Sequence, residues 1–379
     1  MTTTDAPTGL GLVRGATDRL VLESVIDLGR RTRAEIAQAT GVSKPTVSES
    51  VRRLGELGVL CEAGRQEGSR GRAGTYYELS AGAGLAVALH AGPHLVVGES
   101  LDVRGDLVRR VERPVGLTVT ADELLAELAA VLGDLVDGGS PAEASIAVSV
   151  ADPVEHRTGR LVHLQGSPFV LGEACVRDVV GEAAEIDNDV HWAAVAELAH
   201  GRRRGDLVDT FLQLHLGSGI GGALVADGRL VRGARGLAGE AAYVTTRVGG
   251  RGSARPAARL LDVLVDEGLT VDGGTVVDVA AMGSLLRRAP LRGKGARVVE
   301  AVGGVLCSAI ALLDPGRVVL SGPWGREPAL ADALDAHLRR EAVVPVELVV
   351  SATGPEAPLD GARQRAVELA RAGLLSRVS

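Results

Sequence analysis

The sequence predicts an α/β protein with a small N-terminal unit, residues 1–80, ahead of a larger body, 81–379, built as two related lobes. Three observations predict it. Cap residues and helical spacing cluster between positions 17 and 60. Two triplets of short strand-like runs recur, at 85–108 and 211–231. Helix-like segments follow each triplet. With 379 residues, 46% apolar and 23% charged, the chain has the length and composition for a sizeable core.

The N-terminal unit opens with a predicted helix at 17–28. Thr32 and Glu35 form a capping-box pattern that starts a second, short helix. Ile36, Ala37 and Ala39 give it a small apolar face. Gly41 then supplies a left-handed turn. Ser43 caps a third helix, with Pro45 in its first turn, where a missing N–H costs little. Val47, Val51 and Leu54 recur at helical spacing and point inward. Lys44, Thr46, Ser48 and Arg52 therefore face out, as short polar side chains do when a helix-turn-helix enters a major groove. Two β-rich runs, 59–62 and 75–79, flank a Gly- and Arg-rich tip, which reads as a wing. Arg70 and Arg72 at that tip suit a narrow minor groove. A helical hairpin used for dimerisation is the competing reading. Residues 1–80 carry 11 basic and 10 acidic groups, and the rest 30 and 38, for a net charge of −7. A globally acidic chain is a poor indiscriminate nucleic-acid binder, so binding would need charges gathered on one face. The expected partner is double-stranded operator DNA. One winged helix reads only a half-site, which implies a homodimer or homotetramer.

The body begins with the runs around Leu89-His90-Ala91-Gly92. It repeats the pattern at Leu214-His215-Leu216-Gly217. The second copy continues as GSGIGG, a phosphate-loop-like turn made by Gly217, Ser218, Gly219, Gly221 and Gly222. Such a turn can cradle a phosphate or a sugar hydroxyl, and it can equally be a plain hairpin turn. Helices are predicted at 121–137, 190–200, 296–313 and 327–341. Hairpin-connected opening strands in two lobes, about 81–200 and 201–379, predict an actin-like, sugar-kinase-like (ribonuclease H-like) body with a cleft between the lobes.

Three segments carry a family resemblance. IDNDVHWAAVAELAHG (186–201), GSGIGGALVADGRLVRGARGLAGEAAY (217–243) and LLDPGRVVLSGP (312–323) together resemble the ROK family of repressors and sugar kinases. The resemblance implies that Asn188 and Asp189 bind sugar hydroxyls, with Asp189 the general base in a kinase, and that Glu240 adds a further contact. Asn188 and Asp189 read equally well as a helix N-cap pair. Tyr243 stands where the family usually has a histidine. Arg255 falls near a family sugar-binding glutamate, and its guanidinium would suit a carboxylate or phosphate.

The departures are as informative. The family's acidic magnesium-holding residue is replaced by His90, and Pro93 and Leu95 interrupt the rest of its first phosphate motif. The adenosine segment has Ser321-Gly322 where two glycines are usual. The cysteine-rich zinc loop shrinks to residues 244–256 with no cysteine. No metal, no cofactor and no enzymatic activity are therefore expected. The leading expectation is a repressor of carbohydrate-related genes whose body senses a sugar or sugar derivative. The alternatives are a sugar kinase with an appended DNA-binding head, and a dimerisation scaffold without a ligand. Cys61, Cys175 and Cys307 lie far apart, no leader is recognisable and no long apolar run stands out. A cytoplasmic location without membrane attachment is expected.

Overall fold

A computed structural model describes residues 9–65, 74–136, 141–164, 169–206, 208–246, 248, 257–288 and 290–378. The head comprises α1 (Gly9–Leu28), β1 (Arg31–Thr32), α2 (Arg33–Thr40), α3 (Lys44–Glu56), β2 (Leu60–Arg65) and β3 (Thr75–Leu79). The expected start of α1 at Thr17 is too late. No proline interrupts residues 9–16, and the helix runs back to Gly9, two positions after Pro7. The capping box forms as the spacing predicts: Thr32 N–H donates to Glu35 at 2.8 Å and Glu35 N–H to the Thr32 hydroxyl at 3.3 Å. Gly41 takes φ 71° and ends α2. Ser43 caps α3, with Pro45 in its first turn. Val47, Val51 and Leu54 are buried. β1 adds a strand to the wing by pairing with Tyr76 and Tyr77. The stacking of Arg30 over Tyr76 and of Arg33 over Tyr77 reinforces that pairing.

The principal elements of the first lobe are β4 (Leu85–Gly92), β5 (Leu95–Asp102), β6 (Leu107–Pro114), α4 (Ala121–Val136), β7 (Ala144–Val150), β8 (Glu185–Asn188) and α5 (Asp189–Arg203). Those of the second are β9 (Phe211–Leu216), β10 (Ile220–Ala226), β11 (Arg229–Val231), α6 (Lys294–Leu313), β12 (Arg317–Ser321), α7 (Pro328–Glu341) and β13 (Glu347–Val350). The chain ends in α8 (Ala357–Val378). The two sheets have one topology: strand order β8-β7-β4-β5-β6 in the first and β13-β12-β9-β10-β11 in the second. Each is an antiparallel meander whose first strand also pairs in parallel with a later strand. The repeated Leu-His-x-Gly sequence thus sits at the same place in both. His90 lies beside Ser149 and His215 beside Ser321 in the parallel register.

α8 crosses from the second lobe back to the first. It packs on β4, β7 and α5, and also against α1. Gly361 permits this approach, because a Cβ there would lie 2.0 Å from the Trp192 carbonyl oxygen of α5. Val21, Leu22, Val51, Leu54, Ala86, Ala88, Leu374 and Val378 share one core, so the head and the first lobe are packed together. α6 is long and apolar enough to cross a membrane by composition, with a mean hydropathy of 1.8. Its Val298, Val302, Leu306 and Ile310 are buried in the core of the second lobe.

Candidate functional site

On the head, Lys44 and Thr46 are exposed at the start of α3, and Ser48 is half-buried. The Thr46 and Ser43 hydroxyls share a 2.7 Å hydrogen bond. Arg52 is exposed but bridges Glu49 and Glu56 on its own helix, so its charge is largely committed. Arg70 and Arg72 lie outside the described residues. Sequence reasoning missed the device that orients α3. Buried Ser50 donates to Asp18 of α1 at 2.5 Å, and Arg53 grips the same carboxylate at 2.7 Å. The signal available was Asp18 on α1 opposite Ser50 and Arg53, one turn apart on α3.

The body carries a cleft where the two sheets meet. Asn188, Asp189, Glu240, Tyr243, Ser218, Gly219, Gly221 and Gly222 line it, joined by Asp152 and Phe169. The helix N-cap reading of the Asn-Asp pair is realised. The Asn188 side-chain oxygen accepts the Val190 N–H at 2.9 Å, which caps α5, while Asp189 remains in the cleft wall. GSGIGG is the β9–β10 hairpin. None of its glycines needs a positive φ, and Gly222 serves a different purpose. A Cβ on Gly222 would lie 2.9 Å from the Gly239 carbonyl oxygen, and one on Gly239 2.1 Å from that of Gly222. The two backbones touch, with Gly239 at φ 99°. This contact brings Glu240 down into the cleft.

Burial pushes the Asp189 carboxyl up to about 7, and the nearby Asp152 charge pushes the same way. Burial likewise pushes Glu240 up to about 7. The His191 charge opposes that shift, and Asp189 and Asp152 reinforce it. Carboxyl groups poised there can donate or accept a hydrogen bond, which suits hydroxyl ligands. No Lys or Arg is among the described residues that line this cleft. Arg255 lies outside the described residues. Among the described residues, no three His, Cys, Asp or Glu side chains gather to hold a metal ion.

Behind the cleft lies a clasp that the sequence reading did not identify. Asp187, fully buried, accepts from His191 Nδ1 at 2.6 Å and from the Arg232 guanidinium of the second lobe. His191 Nε2 donates to the Ala238 carbonyl at 3.2 Å, next to Gly239. Burial disfavours both charges, yet their mutual attraction leaves His191 above its usual range and Asp187 below. The i, i+4 spacing of Asp187 and His191 was the available signal. Histidines mark both hairpin turns. His90 shares a 2.9 Å hydrogen bond with Ser149, and burial holds its pKa down to about 4. His215 behaves in the same way, with a pKa of about 4.

Comparison with known proteins places these features. Residues 120–253 match the ROK family, and residues 14–60 match a winged helix-turn-helix DNA-binding domain. A putative xylose repressor of Caldicellulosiruptor sp. is 25% identical over 240 residues, covering 62% of this chain and 59% of that one. A β-glucoside kinase of Listeria monocytogenes is 36% identical over 128 residues, 32% of this chain and 40% of the kinase. The matches to these two relatives thus span about 59% and 40% of the relatives' lengths. Among solved structures, a ROK family transcriptional regulator described as a homolog of the E. coli MLC protein superposes with TM-score 0.67. It is 16% identical, with 97% of this chain and 98% of that one covered. A ROK hexokinase from Thermus thermophilus superposes with TM-score 0.54 at 23% identity, over 74% of this chain and 97% of the hexokinase. The hexokinase match covers 74% of this chain, whereas the regulator match covers 97%. The chain carries a ROK-family domain behind an N-terminal winged helix-turn-helix.

Proposed function

We propose that the protein is a DNA-binding transcriptional regulator, a repressor of carbohydrate-related genes, whose ROK body senses a sugar or sugar derivative without phosphorylating it. The observation that carries this reading is the continuous core joining the head to the lobe that holds Asn188 and Asp189. A ligand that draws the two lobes together acts on α5, and α5 packs on α8, which packs on α1 of the head. Different affinity for two lobe arrangements is what ligand control of DNA binding requires. The names of two relatives, the putative xylose repressor and the xylose repressor of Bacillus subtilis, support the same reading.

Asn188, Asp189, Glu240 and Tyr243 are proposed as the ligand contacts, and Lys44, Thr46 and Ser48 as the DNA-facing residues, in a homodimer. The described acidic wall favours neutral polyols, and an anionic ligand would need a cation from outside the described residues, for which Arg255 is the candidate. A kinase remains the second reading, favoured by Asp189 beside the GSGIGG hairpin and by the β-glucoside kinase relative. Against it, His90 is neutral at physiological pH and offers no carboxylate for a magnesium ion, while phosphoryl transfer depends on charge neutralisation. The deciding experiment selects bound sequences from a random DNA library and footprints the winner, then assays ATP turnover with a panel of hexoses. A selected operator without turnover supports the regulator. Turnover that disappears in Asp189→Asn supports the kinase.

A further inference from the structure

Four arginines, Arg104, Arg203, Arg363 and Arg371, and two carboxylates, Asp360 and Glu368, line a cavity of about 620 Å³ between α5 and α8. The β5–β6 turn at Arg104 and Gly105 and residues 352–354 complete its wall. Its volume is that of a small-metabolite pocket. It shares no lining residue with the cleft at Asn188 and Asp189, with the GSGIGG turn or with residues 312–323. Its carboxylates are engaged. Arg363 Nη1 donates to Asp360, and Gln364 and Arg365 donate to Glu368 at 3.0 and 3.1 Å.

The arginines keep donors free. Half-buried Arg371 donates from Nε and Nη2 to the Val103 and Arg104 carbonyls at 2.8 and 2.9 Å, and no carboxylate bonds to it. Neutral carbonyls leave its charge whole. Burial lowers its pKa, and the Glu368, Asp102 and Asp27 charges offset only part of that shift. Its Nη1 has no hydrogen-bond partner among the described residues. Neither has Nη2 of Arg363, whose other nitrogens serve Glu99 and Asp360. Both atoms are open to solvent rather than sealed in the core. On α5, Arg202, Arg203 and Arg204 are exposed, and none has an ion-pair partner among the described residues. A basic last turn suits the helix dipole and is no site by itself. Here the facing helix adds Arg371, a cation that already lacks a counter-charge.

An anion in the cavity would supply that counter-charge, and guanidinium edges take phosphate or carboxylate oxygens through paired hydrogen bonds. Arg363 and Arg371 stand eight residues apart on α8, about 12 Å along its axis. A ligand that reaches both carries an acidic group at each end. The Arg104 guanidinium also binds Glu78 of β3 at 3.1 Å, which ties this wall of the cavity to the wing. We propose that the cavity is a second ligand site, for a small organic anion with phosphate or carboxylate groups at both ends, and that the anion competes with Glu78 for Arg104. The proposal is independent of the regulator reading.

The test is calorimetry on the full chain with fructose 1,6-bisphosphate and adipate as two-ended probes, against glucose 6-phosphate, inorganic phosphate and glucose. At least one two-ended probe binds about tenfold or more tighter than inorganic phosphate, and which of the two does so assigns the acidic groups as phosphate or carboxylate. Arg371→Met lowers that affinity by about tenfold. Arg203→Glu, at an exposed and unpaired position, lowers it too and decides the point should Arg371→Met fail to fold. Glu78→Gln raises it by up to about fivefold, the range of an exposed ion pair. Asp189→Asn leaves it unchanged. No binding of either two-ended probe, affinity no better than that of inorganic phosphate, or affinity unchanged in both arginine variants overturns the site. Affinity lost in Asp189→Asn also overturns it, by placing the probe in the other cleft. An unchanged affinity in Glu78→Gln overturns the competition with the wing. A chain that binds the probe here but selects no DNA leaves this site standing and removes the regulator reading instead.

Discussion

Replacing Asp187 by asparagine strips the charge from the clasp between the lobes while keeping its shape. Removing one partner of a buried ion pair costs about 3–5 kcal/mol when the other charge is left stranded. Here the stranded charges have partial escapes. The Arg232 side chain is 28% exposed, so water screens it, and His191 can release its proton. The expected loss is therefore about 2–3 kcal/mol, or roughly 5–10 °C in melting temperature for lobes of this size. The pH dependence identifies the cause. His191 is raised in the fold, so its contribution is complete below about pH 6.5 and fades as pH rises through the folded value. Asp187 is lowered, so its contribution is present above about pH 4 and is lost as pH falls through the folded value. The difference between parent and variant is then largest between about pH 4 and 6.5 and shrinks at higher pH. Thermal melts of both proteins across pH 5–9 measure it. A difference that stays flat over that range would refute the clasp, as would one within error at every pH.

Three further outcomes are expected. Lys44→Ala and Thr46→Ala lower affinity for the selected operator by about 1–3 kcal/mol per lost base contact, read by fluorescence anisotropy, while melting stays within about 1 kcal/mol of the parent. Asp189→Asn raises the melting temperature more at pH 8 than at pH 5. The folded carboxyl has a pKa of about 7, above its unfolded value, so its ionisation opposes folding increasingly as pH rises toward 7. Gly239→Ala, at φ 99° and with its Cβ 2.1 Å from the Gly222 carbonyl, destabilises by about 2–4 kcal/mol and weakens sugar binding by displacing Glu240. Differential scanning calorimetry with a sugar panel checks that variant, and unchanged sugar affinity would separate Glu240 from the ligand.

Local chemistry in the chain determined the head. The Thr32–Glu35 capping box, Gly41, Ser43 and Pro45 act through neighbours no more than four residues away, so their consequences for α2 and α3 could be read in advance. The strand triplets were legible for the same reason, since hairpins join near neighbours. The identical order of the two sheets confirms the repeat that Leu-His-x-Gly marked. The sequence also marked Asn188, Asp189 and Glu240 as candidates, through their motifs. The resemblance implied that they share one cleft, and tertiary structure alone decided how: Glu240 arrives by a contact between the Gly222 and Gly239 backbones that no periodicity encodes. It also decided the Asp187–His191–Arg232 clasp, whose members come from positions 45 residues apart. The return of α8 to the first lobe is the largest such decision. A terminal helix can cover either sheet as far as its own pattern is concerned. Gly361 against Trp192, and Leu374 and Val378 against α1, make the first lobe the one that buries it.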